Sequence, residues 1–313
     1  MALAFVFPGQ GAQTIGMGRD LAETWPESRA VFDAVDAALG EKLSTLIWEG
    51  EIDELTLTRN AQPALMATSM AAMAALKAEG VEVTAAAYVA GHSLGEYSAL
   101  CAAGAFDVAD AAQLLRVRGD AMQQAVPQGE GAMAAILGLD LGAVSEVVSE
   151  AAQGEVCEAA NDNDPAQVVV SGHRSAVERA TEIAKEKGAK RAVMLPVSAP
   201  FHCALMQPAA DRMARALGEV NLRAPSVPLV ANVTAEAESG PEKIREQLID
   251  QVTARVRWRE SVLWMAAHGV TEVWEIGAGK ALTGMVKRID RSLGTRTIGT
   301  ADEVKTAAAA LAG

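Results

Sequence analysis

The chain has 313 residues, of which 50% are hydrophobic and 21% charged, a composition that describes a globular fold with one large core or a core and a smaller companion. A formal charge of -13 excludes the basic footprint that nucleic-acid phosphates require, and no apolar run approaches the length of a membrane span. Three widely spaced cysteines, Cys101, Cys157 and Cys203, fit neither a disulfide framework nor a zinc cluster, and the apolar start lacks the basic flank of a secretion signal, so a cytoplasmic protein is expected.

In chain order, residues 3–7 read as a buried strand that ends in the loop Pro8-Gly-Gln-Gly-Ala-Gln-Thr-Ile-Gly16. The loop carries Gly9-x-Gly11 but has Thr14 where a dinucleotide fingerprint requires glycine, so a nucleotide site is not read there. Leu21, Trp25, Phe32, Val35 and Leu39 recur at near-helical spacing, and Gln62-Pro63 is expected to open a second helix that turns Leu65, Met66, Met70 and Met73 into the core. A strand over 86–90 follows, then a helix to about Ala103 and another opened by Asp107. Strand and helix in alternation call for an α/β sheet.

Past Pro127 the character changes. Six short elements near 132–139, 141–153, 156–161, 167–171, 175–187 and 191–196 run strand, helix, strand, strand, helix, strand. This βαββαβ order predicts a ferredoxin-like small domain at 128–196, inserted into a large domain made of 1–127 and 197–313. The main sheet resumes with a helix at 204–217, a strand at 227–232, helices from Pro241 and Glu260, a strand at 272–276, a helix at 281–289 and a last strand at 295–298.

Chemistry concentrates in Tyr88-Val-Ala-Gly-His-Ser-Leu-Gly-Glu-Tyr97, where Gly91-x-Ser93-x-Gly95 lies between an apolar strand and an alanine-rich helix. That is the pattern of a nucleophile elbow. The sharp turn leaves no room for Cβ atoms beside the nucleophile and lifts its oxygen to a helix N-terminus, where backbone N–H groups favour negative charge. Serine needs a base, and the chain has four histidines. His92 adjoins Ser93 on a turn that points neighbours apart, His173 reads as a turn residue, and His268 reads as a helix cap before Gly269. His202, in Pro196-Val-Ser-Ala-Pro-Phe-His-Cys203 at the return from the small domain, is the favoured base. Gly277-Ala-Gly-Lys280 lacks the first glycine and the Ser or Thr of a phosphate loop, and Cys203 has no elbow of its own and reads as a packing residue.

Phe7-Pro-Gly-Gln-Gly-Ala-Gln13, Gly91-His-Ser-Leu-Gly-Glu-Tyr97, Arg118-Gly119, Gln167-Val-Val-Val-Ser-Gly172, Phe201-His-Cys-Ala-Leu-Met206 and Gly277-Ala-Gly-Lys-Ala-Leu282 together resemble the malonyl-CoA:acyl carrier protein transacylase family, over nearly the whole chain. The resemblance implies an α/β-hydrolase-like core with a parallel sheet plus the ferredoxin-like insert. It implies transfer of malonyl from malonyl-CoA to the phosphopantetheine thiol of acyl carrier protein for fatty-acid biosynthesis, by a ping-pong route through a malonyl-serine, with no cofactor. Ser93 would be the nucleophile, His202 the base, the N–H groups of Gln10 and Leu94 the oxyanion hole, and the main-chain carbonyl of Gln251 the group that orients His202. Arg118 would bind the malonyl carboxylate with both nitrogens, since burying that carboxylate without a partner is prohibitive. Phe201 would crowd a branched α-methyl, and Gln62, Asn161 and Asn163 would line the pocket. The acidic carrier is expected to meet Lys185, Lys187, Lys190 and Arg191, or Lys280, Lys287, Arg288 and Arg291. A monomer that meets neither nucleic acid nor membrane is expected, and the alternative reading is a serine hydrolase or thioesterase on the same scaffold.

Overall fold

The computed structural model describes residues 2–197 and 199–312. Ser198, within the 196–203 loop, lies outside the described residues, as do Met1 and Gly313 at the ends of the expected large domain. The chain runs β1 (Leu3–Phe7), α1 (Arg19–Thr24), α2 (Pro26–Leu39), α3 (Leu43–Glu49), α4 (Ile52–Thr56), α5 (Thr58–Ala78), β2 (Ala86–Gly91), α6 (Gly95–Ala102) and α7 (Val108–Gln124). It continues β3 (Gly131–Leu137), α8 (Leu141–Ala152), β4 (Cys157–Asp164), β5 (Gln167–His173), α9 (Arg174–Glu186) and β6 (Arg191–Met194). It closes with α10 (Gln207–Glu219), β7 (Leu229–Val230), β8 (Ala237–Glu238), α11 (Pro241–Asp250), α12 (Trp258–Ala267), β9 (Glu272–Ile276), α13 (Ala281–Ile289), β10 (Gly294–Ile298) and α14 (Ala301–Ala312).

The larger sheet has the order β10-β9-β1-β2-β7-β8 and is parallel except where β8 returns along β7. A parallel strand at the centre of such a sheet is buried on both faces, which explains why β1 is a continuous apolar run. Its alternate residues divide between two cores. Leu3, Phe5 and Phe7 join the core that contains α5, while Ala4 and Val6 pack with Val262, Met265 and Val286 of α12 and α13 on the other side. Helices thus cover both faces, and α5, buried along most of its length, is the hub of the first layer.

Two prolines act differently from the expectation. The single helical pattern from Leu21 to Leu39 breaks at Trp25, which is extended (φ -122°, ψ 123°) because Pro26 disfavours helical backbone in the residue before it. Pro63 does not open α5 but lies inside it, since the helix already starts at Thr58. Pro63 therefore removes one helical bond in the second turn. The turn before it is held from outside: a Cβ on Gly119 of α7 would lie 2.6 Å from the Arg59 Cα, so the two helices cross almost backbone to backbone. The expected strand at 227–232 shrinks to Leu229–Val230, because Pro228 has no N–H to give a ladder and Asn232 leaves the sheet for the turn described below. Asp107 precedes α7 as expected, but its carboxylate bonds Arg223 at 2.7 Å rather than a helix N–H.

The second sheet is antiparallel, in the order β4-β5-β3-β6. Ala132, Ala134 and Ile136 of β3 pack against α8 and α9, whereas Met133 and Ala135 face the main core and the cleft between the sheets. Strand β4 is stitched to the larger unit. Val256 exchanges backbone hydrogen bonds with Ala160 and Asp162, both at 2.9 Å, and buried Asp162 and Asp164 pair with Arg259 at 2.9 Å and Arg288 at 2.7 Å. The cleft therefore has a tethered roof. No helix among the described residues is long and apolar enough to cross a membrane.

Candidate active site

The elbow between β2 and α6 puts Ser93 at φ 54°, in left-handed backbone that few non-glycine residues adopt. A Cβ on Gly91 would lie 1.9 Å from the Gly95 backbone and one on Gly95 would lie 2.2 Å from the Phe7 carbonyl oxygen, so the flanking glycines are required by space. The turn is fastened by a residue that sequence reading missed. Buried Asn232, just past β7, accepts the Ser93 N–H at 2.8 Å and donates to the Gly91 carbonyl at 2.6 Å. The available signal was a polar side chain ending an apolar run; nothing local named its partner, 139 positions away.

Ser93 Oγ lies 2.7 Å from His202 Nε2, and His202 also has positive φ, 57°. Its Nδ1 faces two carbonyl oxygens, that of Gln251 at 2.8 Å and that of Ala254 at 3.2 Å. Carbonyls only accept, so Nδ1 carries the hydrogen and Nε2 is the bare acceptor for the serine proton. Among the described residues, no carboxylate hydrogen-bonds this imidazole. Burial, reinforced by the Arg118 charge, lowers the His202 pKa to about 3, so the ring is neutral and Nε2 carries no proton throughout the neutral range.

This depressed value has a measurable consequence. In the unfolded chain His202 binds a proton near the ordinary imidazole pKa of 6.5, whereas the folded protein refuses it until about 3. The stability it contributes is present above the unfolded value and drains away as pH falls towards the folded one, by on the order of 2 kcal/mol at about pH 5. Thermal melts should show wild type losing that much more than a His202→Gln variant between neutral pH and about pH 5; parallel curves would contradict the assignment. The variant comparison matters because Glu96, raised by burial to about 7, acts with the opposite sign.

Arg118, on α7 and only 1% exposed, points its guanidinium at the same oxygen. Its Nη2 donates to Ser93 Oγ at 3.0 Å and to Gln251 Oε1 at 2.7 Å, and its Nη1 donates to Gln62 Oε1 at 2.8 Å. Gln62 is fixed in turn by Thr58, which also bonds Gln10. Among the described residues, no carboxylate lies within ion-pair distance of this buried cation. Arg116, two positions away, faces elsewhere and bonds Asn60 and Glu41.

A cavity of about 370 Å³ opens over the serine, and the structure brings Gln10, Gln62, Leu94, Arg118, Asn161, Asn163, Phe201 and His202 to its wall together with Ser93. Gln251 stands behind the wall. The N–H groups of Gln10, in the loop after β1, and of Leu94, just before α6, have no hydrogen-bond acceptor among the described residues. Asn163 meets His92 Nε2 at 2.8 Å, and His92 lines the cavity without a hydrogen bond to Ser93 Oγ. His173 Nδ1 accepts the Val156 N–H, and His268 Nδ1 donates to the Trp264 carbonyl. Burial raises the Cys203 thiol to about 11, which removes the thiolate that a second nucleophile would need.

The acyl transferase domain family matches residues 4–310 of this chain. The malonyl CoA-acyl carrier protein transacylase of Escherichia coli is 48% identical over 308 residues, covering 98% of each chain, and that of Bacillus subtilis is 47% identical over 306 residues, covering 97% of this chain and 96% of the relative. Among solved structures, the acyl-carrier-protein-S-malonyltransferase of Bartonella henselae superposes with a TM-score of 0.98 at 55% identity, each chain covered completely. A malonyl-transacylase in complex with a type II PKS acyl-carrier protein superposes with a TM-score of 0.96 at 42% identity, covering 99% of this chain and 100% of that one.

Proposed function

This chain belongs to the acyl transferase family, and from that membership we propose how its residues carry malonyl from one thioester to another. It is an acyl carrier protein S-malonyltransferase, transferring malonyl from malonyl-CoA to acyl carrier protein. The observation that carries the residue roles is the position of one atom: Ser93 Oγ is bonded at once to a bare imidazole nitrogen at 2.7 Å and to a buried guanidinium at 3.0 Å.

Ser93 Oγ attacks the thioester carbonyl while its proton moves to His202 Nε2. The new oxyanion is held by the N–H groups of Gln10 and Leu94, each such donor being worth on the order of 3 kcal/mol of barrier. The tetrahedral centre collapses, the carbon–sulfur bond breaks, and the CoA thiol departs with the proton returned by His202. A phosphopantetheine thiol then gives its proton to His202, attacks the malonyl-serine ester, and Ser93 leaves with that proton. The acyl group arrives already activated as a thioester, so this chemistry needs no cofactor. The Gln251 and Ala254 carbonyls keep the imidazole in the required tautomer, doing for geometry what an acidic third residue does elsewhere.

Arg118 receives the free malonyl carboxylate through its paired nitrogens, held in place by Gln62. Once bound, the carboxylate offsets the guanidinium charge, one of the causes that depress His202, and so makes the imidazole a better base when the right acyl group is present. Phe201 narrows the wall against an α-methyl, while Asn161 and Asn163 line it, the latter by way of His92.

The strand order of the small sheet supports a ferredoxin-like unit over 128–196, inserted into a hydrolase-like core made of 1–127 and 197–313. For the carrier protein, the face around α13 is the better receiver. Lys280, Lys287 and Arg291 are exposed with no acidic partner among the described residues, beside Leu282 and Met285 of the cavity wall, and Arg288 pairs with Asp164; in the other cluster Lys190 and Arg191 are likewise unpaired, but Lys185 and Lys187 already face Glu182, Glu146 and Glu150, and none of the four lines the cavity. A cytoplasmic monomer that supplies fatty-acid elongation completes the reading. Hydrolysis on this scaffold is not favoured. In a mixture of malonyl-CoA and holo carrier protein, malonyl-carrier should form much faster than free malonate; malonate release at one rate with or without carrier would make the protein a thioesterase.

A further inference from the structure

Glu96 is a buried carboxyl that the reaction does not use. It stands in the first turn of α6 and is 1% exposed. Two donors converge on it: Gln251 Nε2 at 2.5 Å on one oxygen and the Asn232 N–H at 3.3 Å on the other. The Gln251 carboxamide is itself held on every side. Its Nε2 also donates to the Ser93 carbonyl at 2.9 Å, and its Oε1 accepts Arg118 Nη2 at 2.7 Å. Only one orientation satisfies these contacts, because a turned amide would set oxygen against the Ser93 carbonyl and N–H against the guanidinium.

We propose that Glu96 and the Gln251 side chain form a positioning relay that holds Arg118 in the orientation that meets a substrate carboxylate, so that Glu96 determines acyl selectivity without touching the substrate. The inference rests on Arg118 as the carboxylate receiver. Glu96 supplies the acceptor that fixes the amide, the amide fixes Nη2, and Nη2 lies at the serine oxygen. Desolvation, the largest influence on Glu96, raises its carboxyl to about 7, so this acceptor is poised between charged and neutral forms. Its C=O oxygen serves Gln251 in either form. What the relay needs is an oxygen at that point, which an amide supplies and a methyl does not.

The test is selectivity, since a packing defect would slow every acyl group alike. Kinetics with malonyl-CoA and acetyl-CoA are measured for wild type, Glu96→Ala and Glu96→Gln, with thermal melts beside them. Glu96→Ala should lower the malonyl-to-acetyl ratio of kcat/KM by about tenfold or more, mainly through KM for malonyl-CoA, and Glu96→Gln should restore it to within about threefold of the parent. If Glu96→Ala does not fold, Gln251→Leu breaks the relay from its middle and should move the ratio the same way. Equal losses for both acyl groups, or a Glu96→Gln ratio as low as that of Glu96→Ala, would overturn the relay while leaving the transferase intact. Failure of wild type to acylate Ser93 with malonyl would instead overturn the reading on which the relay rests.

Discussion

Ser93→Ala protein should transfer malonyl at no more than about one ten-thousandth of the parental rate, the loss seen when the nucleophile of a serine–histidine pair is removed. The size follows from what the oxygen does. It forms the bond to the acyl group, it is the atom on which His202 Nε2 and Arg118 Nη2 converge, and no other nucleophile occupies the turn. Cys203, which adjoins His202 in sequence, is held as a neutral thiol by burial. The substitution leaves His202 Nε2 facing a methyl, a cost of about 1–3 kcal/mol for one unsatisfied group, while Arg118 Nη2 keeps its bond to Gln251 Oε1. The variant should therefore melt below wild type yet remain folded, which circular dichroism checks alongside release of CoA. A folded Ser93→Ala protein that kept a hundredth of the activity would exclude acyl-serine chemistry.

The second large effect is on selectivity. Arg118→Ala should lower kcat/KM for malonyl-CoA by about a hundredfold or more while changing acetyl-CoA by less than about tenfold, because truncating one partner of a buried, hydrogen-bonded charge pair costs about 2–5 kcal/mol and acetyl has no carboxylate to lose. Arg118→Lys should recover little of this, since an ammonium cannot meet both oxygens of a carboxylate in the planar fork. Equal losses for malonyl and acetyl would remove Arg118 from substrate recognition and make its bond to Ser93 the whole of its role.

How much of this was legible depends on how local each device is. The elbow is a local code: the tight turn needs glycines at 91 and 95 for space, and the chemistry needs the serine between them. Alternating short elements likewise announced the small sheet, because a split pair of βαβ units has a short-range rhythm. The remainder depends on contacts across the chain. Asn232 reaches Ser93 over 139 positions, and the Gln251 side chain reaches Glu96 over 155, separations that no periodicity encodes. Pro26 and Pro63 show the same division. One breaks a helix by a rule that involves only its neighbour, while the other lies inside a helix whose first turn α7 crosses at close range. Helices α3 and α4 are too short for a periodic signal.

In the proposed mechanism Ser93 carries the malonyl group between two thiols, and the site protects the ester from water until a carrier arrives. Intact-mass measurement after brief mixing with malonyl-CoA tests it most directly. Wild type should carry one malonyl adduct that peptide mapping assigns to Ser93, that persists without acceptor, and that disappears when holo carrier protein is added; an unmodified protein that still moved malonyl to the carrier, or an adduct on any other residue, would contradict it.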